Sequence, residues 1–168
     1  MSHTQLEALV RLLTDGEVEF VVVGGLAAVV HGSAHVTYDV DVCYNRSPDN
    51  LERLSHTLAQ IRPVLRGAPP VLPFRLDLPT LKAGLNFTPA TELGALDLLG
   101  EVSGLGGFRE ALAASDAVEL FDRTVRVLSL PALIAAKKAA GRGKDLLIVP
   151  ELEALLALRP QPERPDEG

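Results

Sequence analysis

Cysteine is almost missing from this chain: its 168 residues contain one, Cys43. That excludes an internal disulfide and a cysteine-built zinc site, and Cys43 between Val42 and Tyr44 reads as a small buried hydrophobe. Long apolar runs are missing as well. The longest, Phe20 to Val30, has 11 residues including two glycines, against the roughly 20 that a membrane-spanning helix needs. The first residues, MSHTQLEALVRLL, hold no cationic stretch leading into an apolar one, so no secretion signal is read and a cytoplasmic protein is expected. Basic residues are in deficit, 16 Lys and Arg against 22 Asp and Glu, for a formal net charge of -6. Broad attraction to nucleic acid or to an anionic membrane is thereby excluded, and any polyanionic partner has to be held by a local patch. No internal repeat is evident.

What remains is the composition of an ordinary folded domain, 47% hydrophobic and 23% charged. The length fits one domain, expected over residues 1–158, with the Pro- and charge-rich tail RPQPERPDEG (159–168) expected to be disordered. Leu6, Leu9, Val10 and Leu13 form the stripe of an amphipathic helix that stops at Asp15-Gly16. Val18 to Val23 is a continuous β-branched and aromatic run, the pattern of a strand covered on both faces. Gly24-Gly25 allows a sharp turn, and Leu26 to His31 reads as a short helix closed by Gly32. A helix beginning directly after a buried strand offers free N–H groups and its positive dipole end to a phosphate.

Val36 to Tyr44 reads as the next strand. It carries Asp39 and Asp41 inside an apolar alternation, and strand residues two apart share a face. Two like charges side by side and partly desolvated are costly unless solvent or a cation compensates them, which makes a divalent metal the expected partner. Ser47 and Pro48 read as the cap and first residue of a helix that buries Leu51, Leu54, Leu58 and Ile61. From Pro63 to Pro89 prolines predict a loop-rich stretch with short strands near Phe74–Leu78 and Leu85–Thr88. Gly94 to Val102 reads as a third strand, with Asp97 a lone acid among apolar neighbours. Downstream, the pattern predicts a short helix over Phe108–Ala114, a hairpin of Val118–Phe121 with Val125–Leu128 across Asp122-Arg123, and a helix over Leu130–Ala140 capped by Ser129. A last helix over Glu151–Leu158 is predicted to open at Pro150. The basic cluster Lys137, Lys138, Arg142 and Lys144 is either a solvated helix face or a seat for phosphates.

Strand, glycine turn, helix and Asp-x-Asp, with a third aspartate downstream, is the set that two-metal phosphoryl transfer needs: acidic oxygens for Mg²⁺ and backbone donors for a triphosphate. A dinucleotide-binding site is the lesser reading, because the G-x-G-x-x-G spacing is absent and two acids stand where one is expected. His31 and His35 read as cap or surface residues rather than as metal ligands.

The blocks GGLAAVVHGSAHVTYDVDV, LGALDLLGEVSGLGGF and LPALIAAKKAAGRGKDLLIVPELEAL together resemble the minimal nucleotidyltransferases of the DNA polymerase beta superfamily, and most nearly the small bacterial proteins related to the AbiEii and MenT toxins. The resemblance spans most of Val18 to Leu158. It implies an α/β (α+β) fold with a mixed central sheet flanked by helices, and transfer of a nucleoside monophosphate from an NTP to an acceptor hydroxyl with pyrophosphate leaving. By that resemblance Asp39, Asp41 and Asp97 would be catalytic and hold Mg²⁺, as two ions. Gly24, Gly25, Ser33, Lys137, Arg142 and Lys144 would bind the nucleotide, with Asp145 completing the last motif. The acceptor, tRNA, a protein or a small molecule, is left open by the residues, and the resemblance suggests an antitoxin as a partner. Two positions depart from the superfamily pattern: Gly25 stands where serine is common, and His35 where relatives often carry arginine. They motivate the alternative of a nucleotide-binding or interaction module of the same fold with weak or no turnover.

Overall fold

The computed structural model describes residues 3–67, 69 and 75–160. In chain order the elements are α1 (His3–Asp15), β1 (Phe20–Val23), α2 (Gly24–Val30), β2 (Asp39–Tyr44), α3 (Pro48–Ala59), β3 (Val64–Leu65), α4 (Leu78–Ala83), β4 (Pro89–Thr91), β5 (Gly94–Leu99), β6 (Glu101–Val102), β7 (Gly106–Gly107), α5 (Phe108–Ala113), β8 (Ser115–Leu120), β9 (Arg123–Leu128), α6 (Leu130–Ala140) and α7 (Gly143–Ala157). Among the described residues the main sheet is mixed and has the order β3-β4-β5-β2-β1-β9-β8, while β6 and β7 form a separate two-stranded ribbon.

Burial explains the interior order. All four residues of β1 are buried, as a strand with neighbours on both edges and layers on both faces requires. The helical stripe predicted for the first residues packs beneath the sheet, with Leu9, Val10 and Leu13 fully buried. The capping signals hold. Ser47 accepts from the Asn50 backbone N–H with Pro48 opening α3, and Ser129 caps α6, which ends on Gly141 in the left-handed region (φ 66°). Asn50 then ties three segments together from a fully buried position. It accepts from the Glu19 backbone N–H at 2.7 Å and donates to the carbonyls of Glu19 (3.1 Å) and Asn45 (2.7 Å), clamping the entry to β1 against the exit of β2.

Several boundaries differ from the sequence reading. The strand expected from Val36 begins at Asp39, and Val36 and Tyr38 are exposed at 73% and 60%. The third strand ends at Leu99; Glu101 and Val102 pair instead with Gly106-Gly107. In the proline-rich stretch, Phe74 lies outside the described residues, and Leu78 opens α4, capped by the Asp77 side chain with Pro79 in its first turn. Of Leu85–Thr88 only Phe87 bridges to the sheet, opposite Leu98. The hairpin turns one residue earlier than expected, at Phe121 and Asp122, both with positive φ (53° and 60°). Pro150 does not open the last helix but sits inside α7. A proline there removes one N–H and leaves the Leu146 carbonyl without its helical donor. Leu146 is 49% exposed, so water can serve that oxygen.

Removing the Asn50 amide strands buried backbone groups on two segments at once. Asn50→Ala is expected to cost about 2–3 kcal/mol, measured as a lowered urea midpoint. A loss below about 0.5 kcal/mol would mean that the clamp does not stabilise the native state.

Candidate functional site

Register builds the acidic centre. Asp39 and Asp41 share a face of β2, and parallel pairing of β2 with β5 sets Asp41 directly opposite Asp97. One carboxylate oxygen from each of Asp39, Asp41 and Asp97 lies within 4.8 Å of the others, and all three side chains are partly buried. Asp41 Oδ1 is buried with no hydrogen-bond partner among the described residues. Burial above all, then proton sharing with Asp97 and the charges of Asp97 and Asp39, pushes the Asp41 carboxyl up to about 7, with Lys137 opposing. An unpartnered oxygen in a cluster of three acids is a donor set that fits a hard divalent cation such as Mg²⁺.

The glycine turn is shaped around this centre. Gly24 adopts φ +62°, and a Cβ added there would lie 2.1 Å from Asp41 Oδ2. No other residue type combines that backbone with that approach. Above Gly25 the missing side chain is replaced from another segment: a Cβ at 25 would meet Thr37 Oγ1 at 2.7 Å. The Thr37 hydroxyl donates in turn to the Asp39 carbonyl at 3.1 Å, fastening the start of the acidic strand.

Beside Asp41 opens a cleft of about 360 Å³. Gly24, Asp41, Lys137 and Arg142 form its polar side, and Leu99, Leu128 and Leu133 part of its apolar side. Asp145, only 1% exposed, anchors the two cations. Lys137 Nζ lies 3.3 Å from its Oδ1 and Arg142 Nε 2.6 Å from its Oδ2. Burial alone would raise the Asp145 carboxyl, but the hydrogen bonds from Arg142 and Lys137 hold it below the usual carboxylate value.

The structure thus gathers Asp39, Asp41, Asp97, Gly24, Lys137 and Arg142, with Gly25 next along the turn. It does not bring Ser33 or Lys144 to the cleft lining. The Ser33 hydroxyl donates to the carboxylate of Glu151 on α7, which also accepts from the Ala34 N–H at 3.1 Å. Lys144 is exposed, and Lys138 pairs with Glu153 at 2.6 Å. His31 bridges the Leu128 carbonyl and Arg159, each at 2.7 Å. Sequence reasoning missed Arg66, whose guanidinium reaches Asp97 Oδ1 at 2.8 Å, and the role of Thr37. Thr37 had a weak signal, a hydroxyl two residues before the first acid; Arg66, in a proline-punctuated stretch, had none.

The fold that carries this centre is shared with solved nucleotidyltransferases. A candidate nucleotidyltransferase from Thermotoga maritima, TM1012, superposes with a TM-score of 0.58 at 14% identity, over 95% of this chain and 97% of that one. The lincosamide antibiotic adenylyltransferase LnuA, solved with lincomycin bound, gives 0.60 at 13% identity, over 92% of this chain and 98% of that one. At these identities the likeness establishes the fold. No family model matches the sequence, and no curated protein matches it. No helix among the described residues is long and apolar enough to cross a membrane.

Because the native Asp41 carboxyl titrates near 7 against an ordinary 3.8, the native state holds a proton that the unfolded chain has released. Metal-free stability is therefore expected to fall as pH rises from 5 to 8, by on the order of a few kcal/mol. The carboxyls held low, Asp15, Asp77, Asp145 and Glu151, are ionised in both states across that window and add no slope. Urea unfolding at pH 5 and 8 reads the effect, and Asp41→Asn should flatten it; an unchanged slope in the variant contradicts the assignment. Gly24→Ala, strained in φ and in collision with Asp41, is expected to lose about 2 kcal/mol or more by the same measurement.

Proposed function

We propose that the protein is a Mg²⁺-dependent nucleotidyltransferase that moves a nucleoside monophosphate from an NTP to an acceptor hydroxyl and releases pyrophosphate. The observation that carries this reading is the register-built cluster of Asp39, Asp41 and Asp97, with its unpartnered buried oxygen, at a cleft whose polar lining also presents Lys137 and Arg142. Hard carboxylate oxygens for the metal and cationic side chains for the phosphates are what a metal-bound triphosphate requires.

Asp39, Asp41 and Asp97 would hold the metal. When bound, a divalent ion neutralises phosphate charge and lowers the pKa of an attacking hydroxyl. Lys137, half-buried between Asp41 and Asp145, supplies a point charge to phosphate oxygens, and Arg142 a planar fork nearer the mouth. Asp145 holds both cations in place before substrate arrives, lowering the reorganisation needed on binding. Gly24 and Gly25 would offer phosphate oxygens the backbone N–H groups at the start of α2, while the space left by their missing side chains is taken by Asp41 and Thr37. Leu99, Leu128 and Leu133 exclude water from one wall. Lys144, exposed at the start of α7, would meet phosphate oxygens only outside the cleft lining. Ser33, tied to Glu151, acts in this reading by fixing the segment between α2 and β2 rather than by touching nucleotide.

The acceptor hydroxyl belongs in this reading to tRNA, a protein or a small molecule, and the family resemblance adds an antitoxin partner in the cytoplasm as a further element of the proposal. An RNA acceptor has to find local charge on a chain of net charge -6, and the cationic rim of α6 and α7 supports that. The test is incubation with each α-labelled NTP, Mg²⁺ and, in separate reactions, total tRNA, protein and hydroxyl-bearing small molecules. Label is expected on one acceptor class. Asp39→Ala and Asp41→Ala should reduce transfer to background, and Lys137→Ala should reduce it about a hundredfold. Equal labelling by the aspartate variants would sink the mechanism. Mg²⁺-dependent NTP binding by calorimetry with no transfer to any acceptor would instead favour the interaction module, and co-purification from the native host would expose the partner.

A further inference from the structure

The acidic cluster is not bare in this conformation. Arg66 Nη2 stands 2.8 Å from Asp97 Oδ1 and donates to the Pro89 carbonyl at 3.3 Å. The edge of the sheet puts it there: β3 pairs with β4 so that Leu65 faces Pro89, and β4 pairs with β5 so that Ala90 faces Ala95. The residue following β3 is thus carried to the flank of Asp97, two residues beyond Ala95. Arg66 leaves through Gly67 at φ +75°, and both residues of β3 are exposed, so the arm carrying the guanidinium is held by few contacts. The side chains of the pair are partly accessible, 37% for Arg66 and 20% for Asp97.

We propose that Arg66 is an internal counter-ion of the acidic cluster, one that competes with the divalent cation for Asp97 and so sets the metal affinity of the site. The inference rests on the reading of the three aspartates as metal ligands. An ordinary surface ion pair would have little effect on stability. Here the carboxylate is one of three within 4.8 Å, and removing the guanidinium leaves their repulsion to be offset by Lys137 and Arg142 from the cleft. While Arg66 occupies Asp97 Oδ1, that oxygen is a poorer ligand, and the fraction of molecules with the pair open scales the observed affinity. Metal and Arg66 therefore exclude one another at Asp97. The metal-free protein is protected from its own charge, and metal loading releases the guanidinium from Asp97.

The test is calorimetric titration of the full chain with Mn²⁺ alone, without nucleotide. Arg66→Ala is expected to bind Mn²⁺ about fivefold more tightly than wild type. Its metal-free urea midpoint should be lower than that of wild type and should be recovered on adding Mn²⁺. Arg62→Ala is the control, because Arg62 lies on the same segment, is 85% exposed and pairs with Glu92 at 3.4 Å, away from the cluster. Unchanged or weaker Mn²⁺ binding in Arg66→Ala overturns the proposal while leaving the metal site standing. An equal gain in Arg62→Ala overturns it too, since the effect would then be removal of any nearby positive charge. If neither wild type nor Arg66→Ala binds Mn²⁺, the metal-ligand reading fails and takes this inference with it.

Discussion

Like-charge repulsion among Asp39, Asp41 and Asp97 is the constraint around which the rest of this molecule is arranged. Three carboxylates within 4.8 Å are not a stable arrangement by themselves, and the Asp41 carboxyl, pushed up to about 7 chiefly by burial, records the tension. The sheet forces the encounter. Antiparallel pairing fixes β2 against β1, and parallel pairing fixes β5 against β2, so moving the acids apart means breaking the ladder. Around the centre, other groups are placed to make it tolerable. Lys137 opposes the charge from the cleft, Arg66 covers Asp97 from the sheet edge, and Gly24 presents backbone where a side chain would collide.

The two basic elements differ in how firmly they are held. Lys137 and Arg142 converge on Asp145, whose side chain is buried, so they are preset and face the cleft. Arg66 rests on a two-residue edge strand and one carbonyl besides Asp97. Under the proposed function this division would serve a site that needs cations for a polyphosphate and a vacant carboxylate for a metal: the pair held by Asp145 would receive substrate charge, and the loosely held Arg66 would yield to the ion. Gly25 fits the same economy of space. The Thr37 hydroxyl fills the room above it and fastens the carbonyl of Asp39. A serine at 25 would have to displace Thr37, which a glycine there leaves in place.

Much of this was legible in the sequence where a short-range rule applies. The stripe of α1, the caps at Ser47 and Ser129 and the shared face of Asp39 and Asp41 follow from period and local hydrogen bonding. Asp97 was recognisable as an acid out of place in an apolar strand, although only register sets it opposite Asp41. Three features were not legible, for different reasons. Pro150 reads as a helix start because proline usually marks one, yet α7 runs through it, with the residue whose carbonyl loses its donor, Leu146, on the exposed side. The helix α4 hides among prolines, its signal being the Asp77 cap rather than its interior. Arg66 reaches Asp97 through two successive strand pairings, and no spacing along the chain encodes that.

The most direct test of the central claim, that this strained carboxylate cluster is a metal site, is the effect of Mg²⁺ on unfolding at pH 8 in wild type and in Asp41→Asn. The account predicts opposite signs: the variant is more stable than wild type without metal, because a buried charge is gone, and gains nothing from Mg²⁺, whereas wild type gains a midpoint that rises with Mg²⁺ concentration. Equal stabilisation of both proteins by Mg²⁺, or of neither, would contradict it.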